Sequence, residues 1–305
     1  MYEIIETAKD MEYFPLTSKL SLLYDECMQT DKIKYTMPFA IRFESSIDPN
    51  KLKDAVIKTV DAHPYLKTRI INTDDGKVLQ KRCDHAEIEE IEIEEIDSIS
   101  NAEIMERDIK PLPLDNNQLF RFKIYKTPAE TILFVDFHHI ITDGVSQGIF
   151  FNDLTKAYNN EEIEAETING FEYSLIEEKT SFSEVSEKFF KKQFSQDIES
   201  TVLTPNMNGN PDIGNIKLVS DQIGSNFVRL FCKDHSISSN VLFMAATLLS
   251  LNKFTFSDKS LITTIFNGRA NSNYSNTQGM LVKTLPVIVN AENRDMIVED
   301  YIKLV

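Results

Sequence analysis

Two adjacent histidines, His138 and His139, end an apolar run in the string HHIITDG, with Asp143 and Gly144 closing it. The only other histidines are His63, His85 and His235. On an extended backbone, neighbouring side chains point to opposite faces. One imidazole of the pair therefore reaches a given cleft, while the other faces the core or an adjacent layer. The same alternation makes a two-histidine metal site on one face awkward, and no nearby Cys or Glu completes a ligand set at the usual spacing. An imidazole with an ordinary pKa near ~6.5 can take up or release a proton at neutral pH, which suits acid–base chemistry. Asp143 could hold an imidazole, pair with a distant arginine or cap the next helix. Gly144 gives access to backbone angles that a side chain forbids. Neither phosphate-binding pattern, G-x-x-x-x-G-K or G-x-G-x-x-G, occurs in the chain.

The elements that must position these residues read as mixed α and β. Thr17 or Ser18 can cap a helix carrying Leu20, Leu23, Tyr24 and Cys27 at helical spacing. A strand over Tyr35 to Glu44 leads to Asp48-Pro49, a cap with proline at the first helical position. Leu52, Ala55, Val56, Thr59 and Val60 then form one helical face. Tyr65 to Asn72 and Lys77 to Arg82 read as a hairpin around Asp74-Asp75-Gly76. The run from Glu87 to Asp97 holds seven acids in eleven residues. It reads either as a cation site or as an edge strand whose acids face water and discourage sheet-to-sheet association.

Beyond Pro111 and Pro113, two strands over Leu119 to Tyr125 and Thr131 to Phe137 lead into HHIITDG. Val145, Ile149, Phe150 and Leu154 mark the helix after it. Asn159 to Asn169 is a loop or weak boundary. A further amphipathic helix carries Val185, Phe189, Phe190, Phe194 and Ile198. Asn206 to Asn215 is a surface loop by composition. Ser236 or Ser238 starts a helix through Leu248, followed by strands over Leu261 to Phe266 and Leu281 to Val289.

Composition removes several functional classes. Among 305 residues, 48 acidic and 32 basic side chains leave a formal charge of −16, which disfavours nucleic acid and anionic membranes. Hydrophobic residues at 42% and charged residues at 26% are an ordinary globular balance. The apolar stretch Val241 to Leu249 is far below the ~20 residues needed to span a bilayer. The opening MYEIIETAKD lacks the pattern of a secretory signal. Cys27, Cys83 and Cys232 are odd in number and widely spaced, which reads as idle thiols in a reducing cytoplasm.

HHIITDG, with Ser146 two residues on, resembles the active-site motif of the condensation domains of nonribosomal peptide synthetases, within the chloramphenicol-acetyltransferase-like acyltransferase superfamily. Four other segments resemble that family's motifs in the family's order. They are FPLTSKLSLLYDE, AHPYLKTRI from Ala62 to Ile70, PLDNNQLFRFKIYK, and NGRANSNYSNTQGMLVKTLPV from Asn267 to Val287. The departures are Ala62 and Lys67 where arginines are usual, and FEYSL as a faint fourth motif in a chain without tryptophan. The last two family motifs have no counterpart before Val305, so truncation of the second lobe is expected.

The resemblance implies an α/β fold of mixed sheet layers: a two-lobed, V-shaped, chloramphenicol-acetyltransferase-like architecture with residues 1–170 as the amino-terminal lobe and 171–305 as part of the second. It implies His139 at the reacting centre, as general base or as a group that positions an amine. It gives His138, Asp143 and Gly144 supporting roles, with Arg269 as the salt-bridge partner of Asp143 or else an exposed loop residue. The implied reaction joins an acyl or peptidyl thioester to an aminoacyl amine, both on the phosphopantetheine of carrier proteins, beside an adenylation domain. No cofactor or metal of the domain's own is implied. A free-standing acyltransferase using a soluble thioester and a non-catalytic docking module are the rival readings.

Overall fold

The structure is a computed structural model, and it describes residues 2–30, 33–180, 183–194, 224–269, 271–291 and 296–305. The chain opens with α1 (Tyr2–Lys9), β1 (Tyr13–Pro15), α2 (Ser18–Gln29), β2 (Thr36–Glu44) and α3 (Pro49–Ala62). Next come β3 (Arg69–Asn72), β4 (Val78–Lys81), β5 (Glu92–Glu95), α4 (Asn101–Asp108), β6 (Phe120–Lys126), β7 (Glu130–His138) and α5 (Gly144–Tyr158). The remainder is α6 (Gly170–Thr180), α7 (Glu184–Gln193), α8 (Ser225–Asp234), α9 (Ser239–Thr255), β8 (Lys259–Phe266), β9 (Lys283–Asn290) and α10 (Val298–Ile302). Two compact units result: Met1–Phe182 with Asn267–Lys283, and Ser183–Phe266 with Thr284–Val305.

The first unit is built on a four-stranded sheet of order β2-β7-β6-β5. Its strands β2 and β6 run antiparallel to β7, and β5 lies parallel to β6 at the edge. Central strand β7 is buried on both faces. Leu133, Val135 and Phe137 join the main core with Leu52, Val56 and Val60 of α3 and Phe150 and Leu154 of α5. Ile132 and Phe134 pack with Ile104 of α4 on the other side. Period-two packing on both faces explains why this strand reads as a continuous apolar run. A second sheet, order β1-β4-β3, carries the hairpin, whose turn uses Gly76 at φ +81°.

Local chemistry sets the helix starts. Thr17 Oγ1 accepts the Leu20 N–H at 3.2 Å. Asp48 Oδ1 accepts those of Asn50 and Lys51 at 2.8 and 3.1 Å, with Pro49 in the first turn. Ser238 caps α9 through the Val241 N–H.

Several elements differ from expectation. Pro64–Lys67 is a 3-10 turn rather than the start of a strand. The acidic run yields only the four-residue edge strand β5, where Glu92 and Glu94 lie 3.1 and 2.8 Å from Lys123 of β6. Helices α1, α6 and α8 were not anticipated. Phe171 to Glu177 of α6 are all buried, Glu172, Ser174 and Glu177 among them, so its polar and apolar residues do not segregate to faces that a helical period could reveal. Helix α7 forms but buries none of its residues, because the core of the second unit is built from α8, α9, α10, β8 and β9. Ile198 and the loop Asn206 to Asn215 lie outside the described residues. Among the described residues, no helix is long and apolar enough to cross a membrane.

Phe137, fully buried, meets Phe150 edge-on at 5.2 Å and Phe122 at 5.6 Å. Phe137→Ala is expected to lower the unfolding free energy by about 3–5 kcal/mol, as read by denaturant titration. A loss under 1 kcal/mol would show that the aromatic cluster is not the centre of this core.

Candidate active site

Strand β7 ends at His138, and the chain then tightens into a 3-10 turn over His139–Ile141 before α5. His138 is 2% exposed, whereas His139 is half-buried. The Nδ1 of His138 accepts the Ile140 N–H at 3.1 Å. Burial foremost, with the charge of His139, pushes the His138 pKa down to about 4, so the ring is neutral at physiological pH.

The His139 ring is held differently. Its Nδ1 lies 2.8 Å from the Thr142 carbonyl oxygen. A carbonyl only accepts, so Nδ1 carries the proton and the neutral ring has its lone pair on Nε2. Its backbone N–H donates to the Tyr35 carbonyl at 2.8 Å, fixing the turn to the start of β2.

Asp143 is fully buried and uses both carboxylate oxygens. Oδ1 accepts the Ser146 N–H at 2.9 Å, which caps α5. Oδ2 accepts Arg269 Nη1 at 2.9 Å and the backbone N–H groups of Leu281 and Val282 at 2.9 and 3.2 Å. Arg269 is buried, and its Nη2 donates to Ser146 Oγ at 2.8 Å and to the Thr277 and Gly279 carbonyls at 3.0 and 3.2 Å. Charged groups taken out of water need such pairing, because an unpaired buried charge is very costly. Of the guanidinium nitrogens only Nε lacks a partner among the described residues. Asp143 thus caps a helix and binds an arginine.

Gly268 brings Arg269 into place. It sits at φ +72°, and a Cβ built there would come within 2.0 Å of the Leu281 carbonyl oxygen, so only glycine fits. Gly144, by contrast, has no positive φ and no neighbour within 4 Å of a built Cβ. Its expected need for unusual backbone angles is therefore absent, and it leaves open space at the start of α5.

Three features escaped sequence reasoning. Gly144 to Gly148 spells G-x-S-x-G, the pattern of the serine-hydrolase elbow. Ser146 is nevertheless fully buried, donates to the Gly279 carbonyl at 2.7 Å and accepts from the Gly279 N–H at 3.1 Å, so its hydroxyl is a strut. Gln278, also fully buried, donates from Nε2 to the Ser146 carbonyl at 3.0 Å. His63 is buried between Glu166 Oε1 at 2.6 Å and Asp153 Oδ2 at 3.0 Å. Burial pushes the Glu166 carboxyl up, and its other oxygen accepts the Gln278 N–H at 3.3 Å. No local pattern signals that His63 cluster, whose members lie 90 and 103 residues away from it. His85 and His235 are exposed. Among the described residues, no group of three or more His, Cys, Asp or Glu could hold a metal ion.

The family described as "Condensation domain" matches residues 17–305. Tyrocidine synthase 3 of Brevibacillus parabrevis is 28% identical over 301 residues, covering 93% of this chain and 4% of that protein. Surfactin synthase subunit 1 of Bacillus subtilis (strain 168) is 26% identical over 290 residues, covering 92% of this chain and 8% of that protein. The chain therefore spans a small fraction of the length of these relatives. The epimerization domain from the third module of tyrocidine synthetase B matches with a TM-score of 0.78 at 17% identity, covering 96% of this chain and 71% of that one. The first condensation domain of the calcium-dependent antibiotic synthetase, solved with a substrate analogue, matches at 0.76 and 18% identity, covering 96% and 73%. At these identities the structural likeness establishes the fold, which is the chloramphenicol-acetyltransferase-like fold implied by the motif order.

Asp143→Asn keeps the oxygen that caps α5 but removes the charge facing Arg269. It is expected to lower stability by about 3–5 kcal/mol by denaturant titration, the usual cost of stranding one member of a buried pair. An unchanged midpoint would show that the pair does not hold the 267–282 segment. His138 gives a pH signature. Its folded pKa is about 4 against an ordinary 6.5, so the stability it contributes is present above pH 6.5 and falls as pH drops toward 4. Asp136 runs the opposite way: burial raises its carboxyl to about 6, so it favours the folded state at low pH. Measured as wild type minus His138→Asn, which cancels Asp136, the difference should shrink by about 3 kcal/mol from pH 6.5 to 4. A flat difference would mean that the ring accepts a proton in the folded state.

Proposed function

We propose, for a chain that belongs to the condensation-domain family, that it forms an amide bond between an acyl or peptidyl thioester and the amine of an aminoacyl acceptor. Both substrates arrive on the phosphopantetheine arms of carrier proteins, in the cytoplasm, with an adenylation domain as neighbour in a synthetase. The observation that carries this reading is the half-buried His139 ring, held by Thr142 so that Nε2 presents a lone pair.

The amine attacks the thioester carbonyl and forms a C–N bond. Nε2 of His139 accepts the proton that the nitrogen must lose. The tetrahedral centre then expels the pantetheine sulfur, and the proton held on His139 goes to that thiolate. Such proton transfer contributes about 10²–10⁴-fold to rate. Nε2 also orients the amine by accepting its N–H, and orientation alone reaches ~7–11 kcal/mol in ideal cases. His138 and the Asp143–Arg269 pair act through shape, fixing the turn that carries His139. Gly144 leaves room beside the turn for the incoming group.

His139→Ala should reduce product formation at least 100-fold, read by intact-mass detection of condensed product from two loaded carrier proteins, with thermal stability unchanged. Near-normal turnover would remove His139 from the reaction. Equal rates with a soluble N-acetylcysteamine thioester and a carrier-bound donor would favour a free-standing acyltransferase.

A further inference from the structure

The ring of His138 has a second nitrogen that the proposed reaction does not use. Since Nδ1 accepts the Ile140 N–H, the proton of the neutral ring sits on Nε2. Facing Nε2 is the sulfur of Cys27, 3.9 Å away, a weak acceptor at the limit of reach. A buried N–H served this poorly is unusual in a folded protein.

Both residues line a cavity of about 320 Å³ within the first unit, with Met28, Tyr35, Leu112 and Leu114 also in its wall. That volume falls at the lower end of small-ligand sites, which run from ~300 to ~1,000 Å³ and pair apolar walls with a few directional polar groups. Burial pushes the Cys27 thiol up to about 11, so it has no catalytic poise and is alkylated slowly, through a small thiolate fraction. Asp115, which also lines the cavity, disfavours an anionic occupant.

We propose that this cavity is a subsite for a neutral aliphatic or aromatic group of the substrate, with the His138 Nε2–H donating to an oxygen next to that group. The assignment rests on the amide-forming reading above, and it gives His138 a recognition role beyond supporting the turn. The group has two sources of the same chemistry: the acyl chain of the donor or the side chain of the aminoacyl acceptor.

Cys27 is a built-in reporter, with the half-buried Cys83 as a reference in the same chain. The full chain is alkylated with iodoacetamide in the presence of hexanoyl-, phenylalanyl- or glycyl-N-acetylcysteamine thioester, and labelling is read by peptide mass. Hexanoyl or phenylalanyl thioester should slow Cys27 labelling at least fivefold, glycyl thioester should not, and Cys83 should be unaffected. Protection by the hexanoyl probe points to the donor and by the phenylalanyl probe to the acceptor. Equal protection by all three, or by none, overturns the subsite.

Isothermal titration reads the same cavity without alkylation. Cys27→Phe, which fills it, should weaken binding of the protecting thioester at least tenfold, and unchanged affinity overturns the proposal. Protection should persist in His139→Ala, which separates the two readings. Protection without any condensed product upholds the subsite and counts against amide formation, whereas product without protection overturns the subsite alone.

Discussion

A single buried carboxylate organises the first unit. Asp143 accepts four N–H groups: one from the helix it caps, one from Arg269 and two from the backbone at Leu281 and Val282. Each bond satisfies a donor that would otherwise be buried without a partner. Through them, a residue just past the histidine turn holds a segment more than 120 residues away in sequence. Ser146, Gln278 and the Glu166–His63–Asp153 cluster extend the same network, so the wall behind the histidines is polar, buried and cross-linked. Arg269 Nε and Gln278 Oε1 are its two buried side-chain atoms without a partner among the described residues. Networks of this kind specify one arrangement because any shift leaves several groups unmet.

The two adjacent histidines show how backbone geometry divides labour between identical side chains. His138 ends a strand and turns inward, where burial keeps it neutral and its Nδ1 accepts from the backbone. His139 begins the 3-10 turn, remains half-buried, and has its Nδ1 proton engaged by a carbonyl. The tautomers are opposite: Nε2–H on one ring and a bare Nε2 on the other. Protein hydrogen bonds made by the flanking residues Ile140 and Thr142, both inside the seven-residue motif, set this difference.

Elements with a polar side or a capping residue were readable in the sequence. Helices α2, α3 and α9 announced themselves through Thr17, Asp48-Pro49 and Ser238, and β6 and β7 through their apolar runs. Helix α6 left no such trace because Gly170 to Glu177 are buried on every side of it. The histidine turn was legible because its residues are contiguous. The segment bearing Arg269 entered only through the order of family motifs, since no periodicity joins residues 126 positions apart. His63 was silent for the same reason: its carboxylate partners sit on α5 and in the loop after it, brought near only by the packing of α3 on α5.

The first unit is discontinuous in the chain, since Asn267–Lys283 returns to it after most of the second unit has been traversed. During synthesis the Asp143 carboxylate therefore emerges from the ribosome 126 residues before the guanidinium that neutralises it. At about 5–20 residues per second that interval is roughly 6–25 s. Over that span the nascent unit holds an uncompensated charge where its interior will form, so its final closure must be post-poned until the returning strand of sequence has been made.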